Sequence, residues 1–244
     1  DGTPVNAIYG FTTMLMKLLQ DTDADHVAVI FDAARHTFRN DLYAAYKAQR
    51  PEPPEALVPQ FPLVREATRA FNVACVESLG READDLIATY ARLAREVGAD
   101  VTIVSSDKDL MQLVRPGVGM LDAVKNRVIG LDEVRATFGV APEKVIDVPA
   151  LAGDSSDNVP GVPGIGLKTA AQLIGDYGDL ESLLARVDEI KRPKRRQALI
   201  EHAHNARLSR ELVRLRDDVE PPMPLAAFAV KAPRAEALLP FLEE

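Results

Sequence analysis

The sequence lacks the features that mark secreted and membrane proteins. Only one of its 244 residues is cysteine, Cys75, and none is tryptophan. A single thiol cannot form an internal disulfide, so nothing favours an oxidising compartment. No apolar run approaches the ~20 residues of a membrane span, and no signal-peptide pattern opens the chain. We therefore expect a cytoplasmic globular protein that has no membrane partner.

The charge is acidic in total but unevenly distributed. The formal net charge is −8, with 47% hydrophobic and 27% charged residues, values typical of a globular protein. The total argues weakly against nucleic-acid binding, although clustered acid and clustered base can occupy different surfaces. Residues 191–196 contain five basic side chains in six positions. This basic run is interpreted either as a solvated face or as a phosphate contact.

Strand and helix patterns alternate through the first half of the chain. Buried-strand patterns at 27–31 and 101–104 end just before Asp32 and Ser105, and an amphipathic stripe at 82–97 predicts the clearest helix. This alternation favours an α/β fold in which a mostly parallel, Rossmann-like central sheet is flanked by helices. Ligand sites in such folds lie beyond the carboxyl ends of the strands.

The remaining elements are predicted from the same patterns. We expect helices at 7–19, 63–71, 131–138 and 143–151, a strand at 73–77, strand pieces within 118–130, and an extended proline-rich patch at 51–62. After Ala171 the pattern is wholly helical. The chain should therefore divide into an α/β core over residues 1–150 and a helical subdomain over 151–244.

Eight carboxylates follow predicted strands or begin predicted helices. They are Asp32, Glu82, Asp84, Asp85, Asp107, Asp109, Asp154 and Asp157. Taken singly, each is typical of a turn or of a helix start, where acid complements the helix dipole. Two like charges about 4 Å apart repel by about 4 kcal/mol at an effective dielectric of about 20. Several carboxylates in one cleft would therefore require cations.

Oxygen ligands without cysteine or histidine favour Mg²⁺ or Mn²⁺ over Zn²⁺. None of the four histidines matches such a site, and the acidic spacings do not fit a Ca²⁺-binding EF-hand loop. Two divalent ions about 4 Å apart can generate hydroxide and stabilise the entering and leaving oxygens of a phosphoryl transfer. The carboxylates therefore point to phosphodiester hydrolysis.

A glycine-rich turn follows the last two carboxylates. Residues 161–169 resemble a P-loop, but Leu167 separates Gly166 from Lys168 and breaks the required junction. A dinucleotide fingerprint is also incomplete, because its third glycine and its preceding strand are absent. The remaining interpretation is a turn that grips a nucleic-acid backbone through main-chain N–H groups and Lys168.

Six ordered motifs resemble one family, the 5′ nuclease or flap endonuclease domain at the amino end of bacterial DNA polymerase I. The motifs are Phe31-Asp32, Thr37-Phe38-Arg39, the residues 46–51 (YKAQRP), 82–85 (EADD), 106–109 (SDKD) and 153–158 (GDSSDN). The resemblance covers essentially the whole chain. It implies a PIN-like nuclease core with a helical arch at about 33–62, and a helix-hairpin-helix type grip on duplex DNA at 153–175.

The resemblance also implies roles for individual residues. One metal would be held by Asp32, Glu82, Asp84 and Asp85, and a second by Asp107, Asp109, Asp154 and Asp157. Lys47 and Arg50 would stabilise the scissile phosphate. The implied DNA-binding residues are Arg39, Tyr46, Gly161, Gly164, Gly166, Lys168 and Thr169, although Tyr46 could equally pack within the arch.

The implied cofactors are two Mg²⁺ or Mn²⁺ ions, with K⁺ at the 161–169 turn. The implied reaction is hydrolysis of 5′ flaps and 5′ ends in primer removal and repair, in the bacterial cytoplasm at the nucleoid, with a polymerase domain after Glu244. The family's first strand, which ends in a metal-binding Asp-Gly pair, is not present, and Asp1-Gly2 is not assigned that role; we expect a chain truncated before residue 1. Two alternatives stay open: a non-catalytic DNA-junction binding module, and a PIN-type ribonuclease, which residues 153–171 disfavour.

Overall fold

Short strands alternate with helices through the first half of the computed structural model, which describes residues 4–243. The chain divides into two compact units. The first contains the described residues up to Arg35, Pro51–Leu86, and the described residues from Glu220 onward. The second contains His36–Arg50 and Ile87–Val219. Asp1 and Gly2, which were not assigned a metal-binding role, lie outside the described residues.

The first unit is built on a pair of parallel strands. Its elements are α1 (Asn6–Asp21), β1 (Ala28–Ile30), α3 (Gln60–Ala70), β2 (Ala74–Val76), the first turn of α4 (Ala83–Glu96), and α11 (Ala235–Glu243). β1 and β2 pair from Ala28 opposite Ala74 to Ile30 opposite Val76. The buried Gln60 side chain accepts the N–H groups of Ala7 and Ile8, at 2.8 and 3.0 Å, and so satisfies donors at the start of α1.

The proline-rich patch is shorter than predicted. Residues 55–59 form a turn and α3 begins at Gln60, so that residues 60–62 are helical rather than extended. Pro62 lies in the first turn of this helix, where a missing N–H removes no intrahelical hydrogen bond. The proline content predicted an extended segment, because composition alone does not show that a proline can occupy the first turn of a helix.

The second unit combines a small mixed sheet with a helical bundle. The sheet contains β3 (Val101–Val104), β4 (Val118–Asp122) and β5 (Arg127–Ile129) in that order, β3 parallel and β5 antiparallel to β4. The helices are α2 (Phe38–Leu42), the rest of α4, α5 (Leu131–Phe138), α6 (Asp147–Ala152), α7 (Leu167–Tyr177), α8 (Leu180–Ala185), α9 (Pro193–Glu201) and α10 (Ala203–Val213).

The strand at 101–104 is less buried than its apolar sequence predicted. Within the described residues β3 lies at the edge of its sheet, and Val104 is 39% exposed. The predicted turn near Lys125 is present, and the buried Asp122 side chain accepts the N–H groups of Val124 and Lys125. No helix in residues 4–243 is long and apolar enough to cross a membrane.

The helical bundle has a continuous apolar core. Its fully buried side chains include Leu151, Ile174, Leu180 and Leu199. Arg210 donates to the buried Asp147 carboxylate at 2.6 Å, and the Leu180 N–H contacts the other carboxylate oxygen at 3.3 Å. This polar contact joins the beginnings of α6 and α8 to α10 inside the core.

Candidate metal and nucleic-acid site

Residues 153–161, here called the acidic loop, form a reversal that is closed at its base by two glycines. Asp154 and Val159 exchange backbone hydrogen bonds of 3.0 and 2.7 Å across the loop. A Cβ atom on Gly153 would lie 2.7 Å from the Val159 carbonyl oxygen, and one on Gly161 would overlap the Gly153 backbone. Both glycines also have positive φ. Only glycine fits at these positions, and the closed loop presents Asp154 and Asp157.

Basic side chains occupy both carboxylates of the acidic loop. Lys108 Nζ lies 2.7 Å from Asp154 Oδ2. Arg50 forms an ion pair with Asp157 Oδ1, and Lys47 Nζ lies 3.8 Å from Asp157 Oδ2. Partial burial opposes ionisation of Asp154, but hydrogen bonds from Lys108 and Ser156 outweigh it and lower the pKa of Asp154. Three basic side chains therefore lie beside the two carboxylates of the loop.

Asp107 and Asp109 begin a 3₁₀ helix, Lys108–Leu113, beyond the end of β3. The Asp107 side chain accepts the Asp109 N–H at 2.9 Å. Burial and then the charge of Asp107 raise the pKa of Asp109 to about 6; Lys108 opposes this shift, and the charges of Asp157 and Asp154 add to it. The other three members of the second predicted carboxylate group therefore act electrostatically on Asp109.

The segment around Lys47 is fastened to the acidic loop by hydrogen bonds. The Lys47 N–H donates to the Asp157 carbonyl at 2.9 Å, and Gln49 Nε2 donates to the carbonyls of Ser155 and Ser156 at 2.9 and 3.1 Å. Asn158 Nδ2 donates to the Ala45 carbonyl at 2.7 Å. Lys47 itself has φ +54, a left-handed conformation that costs about 1–2 kcal/mol in a non-glycine residue. These contacts hold the strained residue in place.

The first predicted carboxylate group lies in the other unit. Asp32 follows β1, and its Oδ1 accepts the Ala83 N–H at the start of α4, at 2.7 Å. Glu82 and Asp85 are buried at the same helix start, and Asp84 is half-buried. Within the described residues, no three His, Cys, Asp or Glu side chains of either unit form a ready-made metal cage. Each unit thus carries one group of carboxylates without a preformed coordination shell.

Three predicted DNA-binding residues, Arg39, Tyr46 and Gly161, are buried in this structure, and their role in DNA binding stays a prediction. Arg39 is 1% exposed and donates to the carbonyls of Leu212 and Arg214 at 2.7 and 2.9 Å. Tyr46 is 4% exposed and packs with Val159 and Leu212. These side chains are committed to the protein interior, so neither is presented to a nucleic acid.

Gly161 is the third predicted DNA-binding residue that is buried. It is buried, and its N–H donates to Ser209 Oγ at 2.9 Å, so this N–H is not available to a phosphate. Gly164, Gly166 and Lys168 are exposed at the start of α7, and Thr169 is half-buried. Among the predicted grip residues, Gly164, Gly166 and Lys168 are therefore the exposed ones.

Among the residues that contact the acidic loop, sequence reasoning missed Lys108 and Gln49. Lys108 stands between two predicted ligands in the run Asp-Lys-Asp, which was a usable signal. Gln49 carried no such signal, because its partners lie 106 and 107 residues away along the chain.

Comparison with known proteins identifies the chain's relatives. Residues 1–139 match the N-terminal resolvase-like domain of 5'-3' exonuclease, and residues 140–236 match the C-terminal SAM fold of 5'-3' exonuclease. A 5'-3' exonuclease of Aquifex aeolicus is 37% identical, over 100% of this chain and 83% of the relative. DNA polymerase I of Rhizobium leguminosarum is 57% identical over 100% of the chain, which spans 25% of that relative's length.

Among solved structures, T5 5'-exonuclease with bound divalent metal ions (zinc) has a TM-score of 0.78 at 23% identity, over 99% of this chain and 90% of that one. This likeness confirms the predicted α/β fold class with its C-terminal helical subdomain. The division at residue 150 stays a prediction. The matches over both domains confirm the predicted family: the chain belongs to the 5'-3' exonuclease family of nucleases.

Proposed function

We propose that this nuclease cuts DNA at 5′ flaps and 5′ ends by a two-metal-ion mechanism, in primer removal and repair. The observation that carries the proposal is the closed acidic loop. It brings Asp154 and Asp157 within electrostatic reach of Asp109 and beside Lys47 and Arg50. Carboxylates that could hold a metal thus lie beside basic side chains that could bind a phosphate.

The donor chemistry of the second carboxylate group fits a hard divalent cation. Its members are Asp107, Asp109, Asp154 and Asp157, all oxygen ligands, and their mutual repulsion is relieved by positive charge. We assign a second ion to Asp32, Glu82, Asp84 and Asp85. When bound, a pair of Mg²⁺ or Mn²⁺ ions would activate water and stabilise the attacking and leaving oxygens.

Lys47 and Arg50 would bind the non-bridging oxygens of the scissile phosphate. Both are held next to Asp157 by the hydrogen bonds that fasten their segment to the acidic loop. A guanidinium can contact two phosphate oxygens at once, which orients the phosphate as well as attracting it. Transfer from Asp157 to the phosphate would direct these two charges onto the substrate.

The start of α7 would hold the duplex. Gly164 and Gly166 are exposed, and the first N–H groups of a helix have no intrahelical acceptor, so they suit a phosphate. Lys168 would add a charge-assisted contact and Thr169 a hydroxyl, while main-chain carbonyls of residues 161–169 would hold K⁺. We also propose a covalently linked polymerase domain after Glu244 and action at the bacterial nucleoid, because the chain matches a quarter of a DNA polymerase I.

The test is cleavage of a 5′-flap DNA duplex with Mg²⁺ and with EDTA. We expect cutting that EDTA abolishes, and Asp107→Ala should remove turnover while leaving DNA affinity largely unchanged. The matched control is Asp132→Ala, which removes a 92% exposed carboxylate at the start of α5. Full activity of Asp107→Ala would contradict the two-metal assignment.

The same assay separates the alternatives. A non-catalytic junction module would bind the flap duplex without cutting it in either condition. A PIN-type ribonuclease would cut an RNA strand and leave the matched DNA flap intact.

A further inference from the structure

Lys108 has an unusual position, because it lies between two predicted metal ligands and its side chain reaches a third. Asp107 and Asp109 flank it in sequence, and its ammonium donates to Asp154 Oδ2 at 2.7 Å. The Lys108 side chain is 51% exposed, whereas that of Asp154 is 13% exposed. The lysine therefore crosses from the 3₁₀ helix at 108–113 to the acidic loop while keeping a path to solvent.

The charges around Lys108 explain why it occupies this place. Its ammonium donates to Asp154, and Asp107 and Asp109 are its neighbours in the chain, so three carboxylates attract its positive charge. One ammonium thus offsets part of the repulsion among the crowded carboxylates. Without the Lys108 ammonium, the 3₁₀ helix at 108–113 would offer no positive charge to Asp154.

A divalent cation and this ammonium cannot share Asp154 Oδ2 without penalty. Mg²⁺ binds carboxylate oxygen at about 2.0–2.1 Å, and an ammonium 2.7 Å from the same oxygen would then face a doubly charged ion at close range. The flexible four-carbon stem and the exposed path allow the lysine to leave. Two states follow, one with lysine on Asp154 and one with metal.

We propose that Lys108 is a positioning residue: it holds Asp154 near residues 107–109 before the metal arrives and releases Asp154 Oδ2 when a divalent cation binds. This inference rests on the proposed function, since it assumes metal binding by the second carboxylate group. A group that stabilises only the metal-free state must weaken metal binding by the same factor.

The test is a Mn²⁺ titration of the wild-type chain and of Lys108→Met, in which isothermal titration calorimetry measures the binding affinity. A favourable exposed pair contributes up to about 1 kcal/mol, so Lys108→Met should bind one Mn²⁺ about fivefold more tightly. Lys108→Arg keeps the positive charge and should restore weaker binding. The matched control, Lys125→Met, removes a lysine that is 3.7 Å from Asp122 in the same unit, and it should leave Mn²⁺ binding unchanged.

A second measurement follows the lysine itself. In EDTA, thermal unfolding of Lys108→Met should begin at a lower temperature than that of Lys125→Met, and saturating Mn²⁺ should remove the difference. In ¹⁵N-labelled wild-type protein, the Lys108 ammonium signal should be protected from exchange in EDTA and lose this protection with Mg²⁺.

The outcomes distinguish the positioning role of Lys108 from the proposed function. If the wild type binds Mn²⁺ and Lys108→Met binds it equally or more weakly, the positioning role is overturned while the proposed function stands. Protection of the ammonium that persists in saturating Mg²⁺ would also overturn it. A wild-type chain that binds no Mn²⁺ would overturn both.

Discussion

Gly161→Ala tests whether the glycine contact at the base of the acidic loop holds the site together. Gly161 has φ +59, and alanine at such a φ costs about 1–2 kcal/mol. The new Cβ would also overlap the Gly153 backbone, which cannot rotate away as a side chain can. Overpacking of this kind typically costs a further 1–3 kcal/mol. We therefore expect a loss of about 2–5 kcal/mol, a large share of the 5–15 kcal/mol available to a folded protein.

The matched control is Gly98→Ala. Gly98 lies in the same unit with φ +80, but a Cβ there would have no atom within 4 Å. It should cost only the backbone term, about 1–2 kcal/mol. Urea unfolding followed by circular dichroism gives both free energies, and flap cleavage should fall only in Gly161→Ala because its loop must open. Equal destabilisation of the two variants, or normal cleavage by Gly161→Ala, would refute the role of the glycine contact.

Three further substitutions test separate contacts. Arg39→Met leaves the carbonyls of Leu212 and Arg214 without their buried donor and should lower the free energy of unfolding by about 2–4 kcal/mol; a variant that keeps its stability but loses DNA affinity would support the DNA-binding prediction. Asp109→Asn should raise stability in EDTA by up to about 3 kcal/mol above pH 6 and have little effect below pH 4. The sign follows because the folded pKa, about 6, exceeds the unfolded value, so the carboxylate's contribution to stability is lost as pH rises; parallel pH–stability curves would contradict it. Lys168→Ala should weaken duplex binding and reduce the slope of log K against log salt concentration by about one unit, as measured by fluorescence anisotropy. An unchanged slope would indicate that Lys168 is a solvated surface residue without a phosphate contact.

Local patterns in the sequence predicted much of the fold. The apolar stripe of α4 and the β-branched run of β3 specify their elements through residues within one or two turns. The prediction of an extended proline-rich patch was wrong at its C-terminal end, because Pro62 is compatible with the first turn of α3. Errors of this kind arise where one residue type is permitted in two local structures.

Six of the carboxylates could be found from sequence because they follow a strand or begin a helix, whereas Asp154 and Asp157 lie in the acidic loop after α6 and were found beside the glycine-rich turn. The partners of these carboxylates could not. Asp154 meets Lys108 across 46 positions, and Asp157 meets Arg50 across 107. No periodicity connects such distant residues, so their pairing depends on how the loop and the 3₁₀ helix pack.

The sequence by itself determined the family, the α/β class and the eight candidate metal ligands, because motifs and periodicity depend on residues that are close together in the chain. Only the tertiary structure decided which predicted residues are available for chemistry. Arg39, Tyr46 and Gly161 are buried against α10 or the segment that follows it, through contacts with Leu212, Arg214 and Ser209. Burial depends on those distant residues and not on residue type, and for the same reason Lys108 emerged as the basic residue that contacts Asp154.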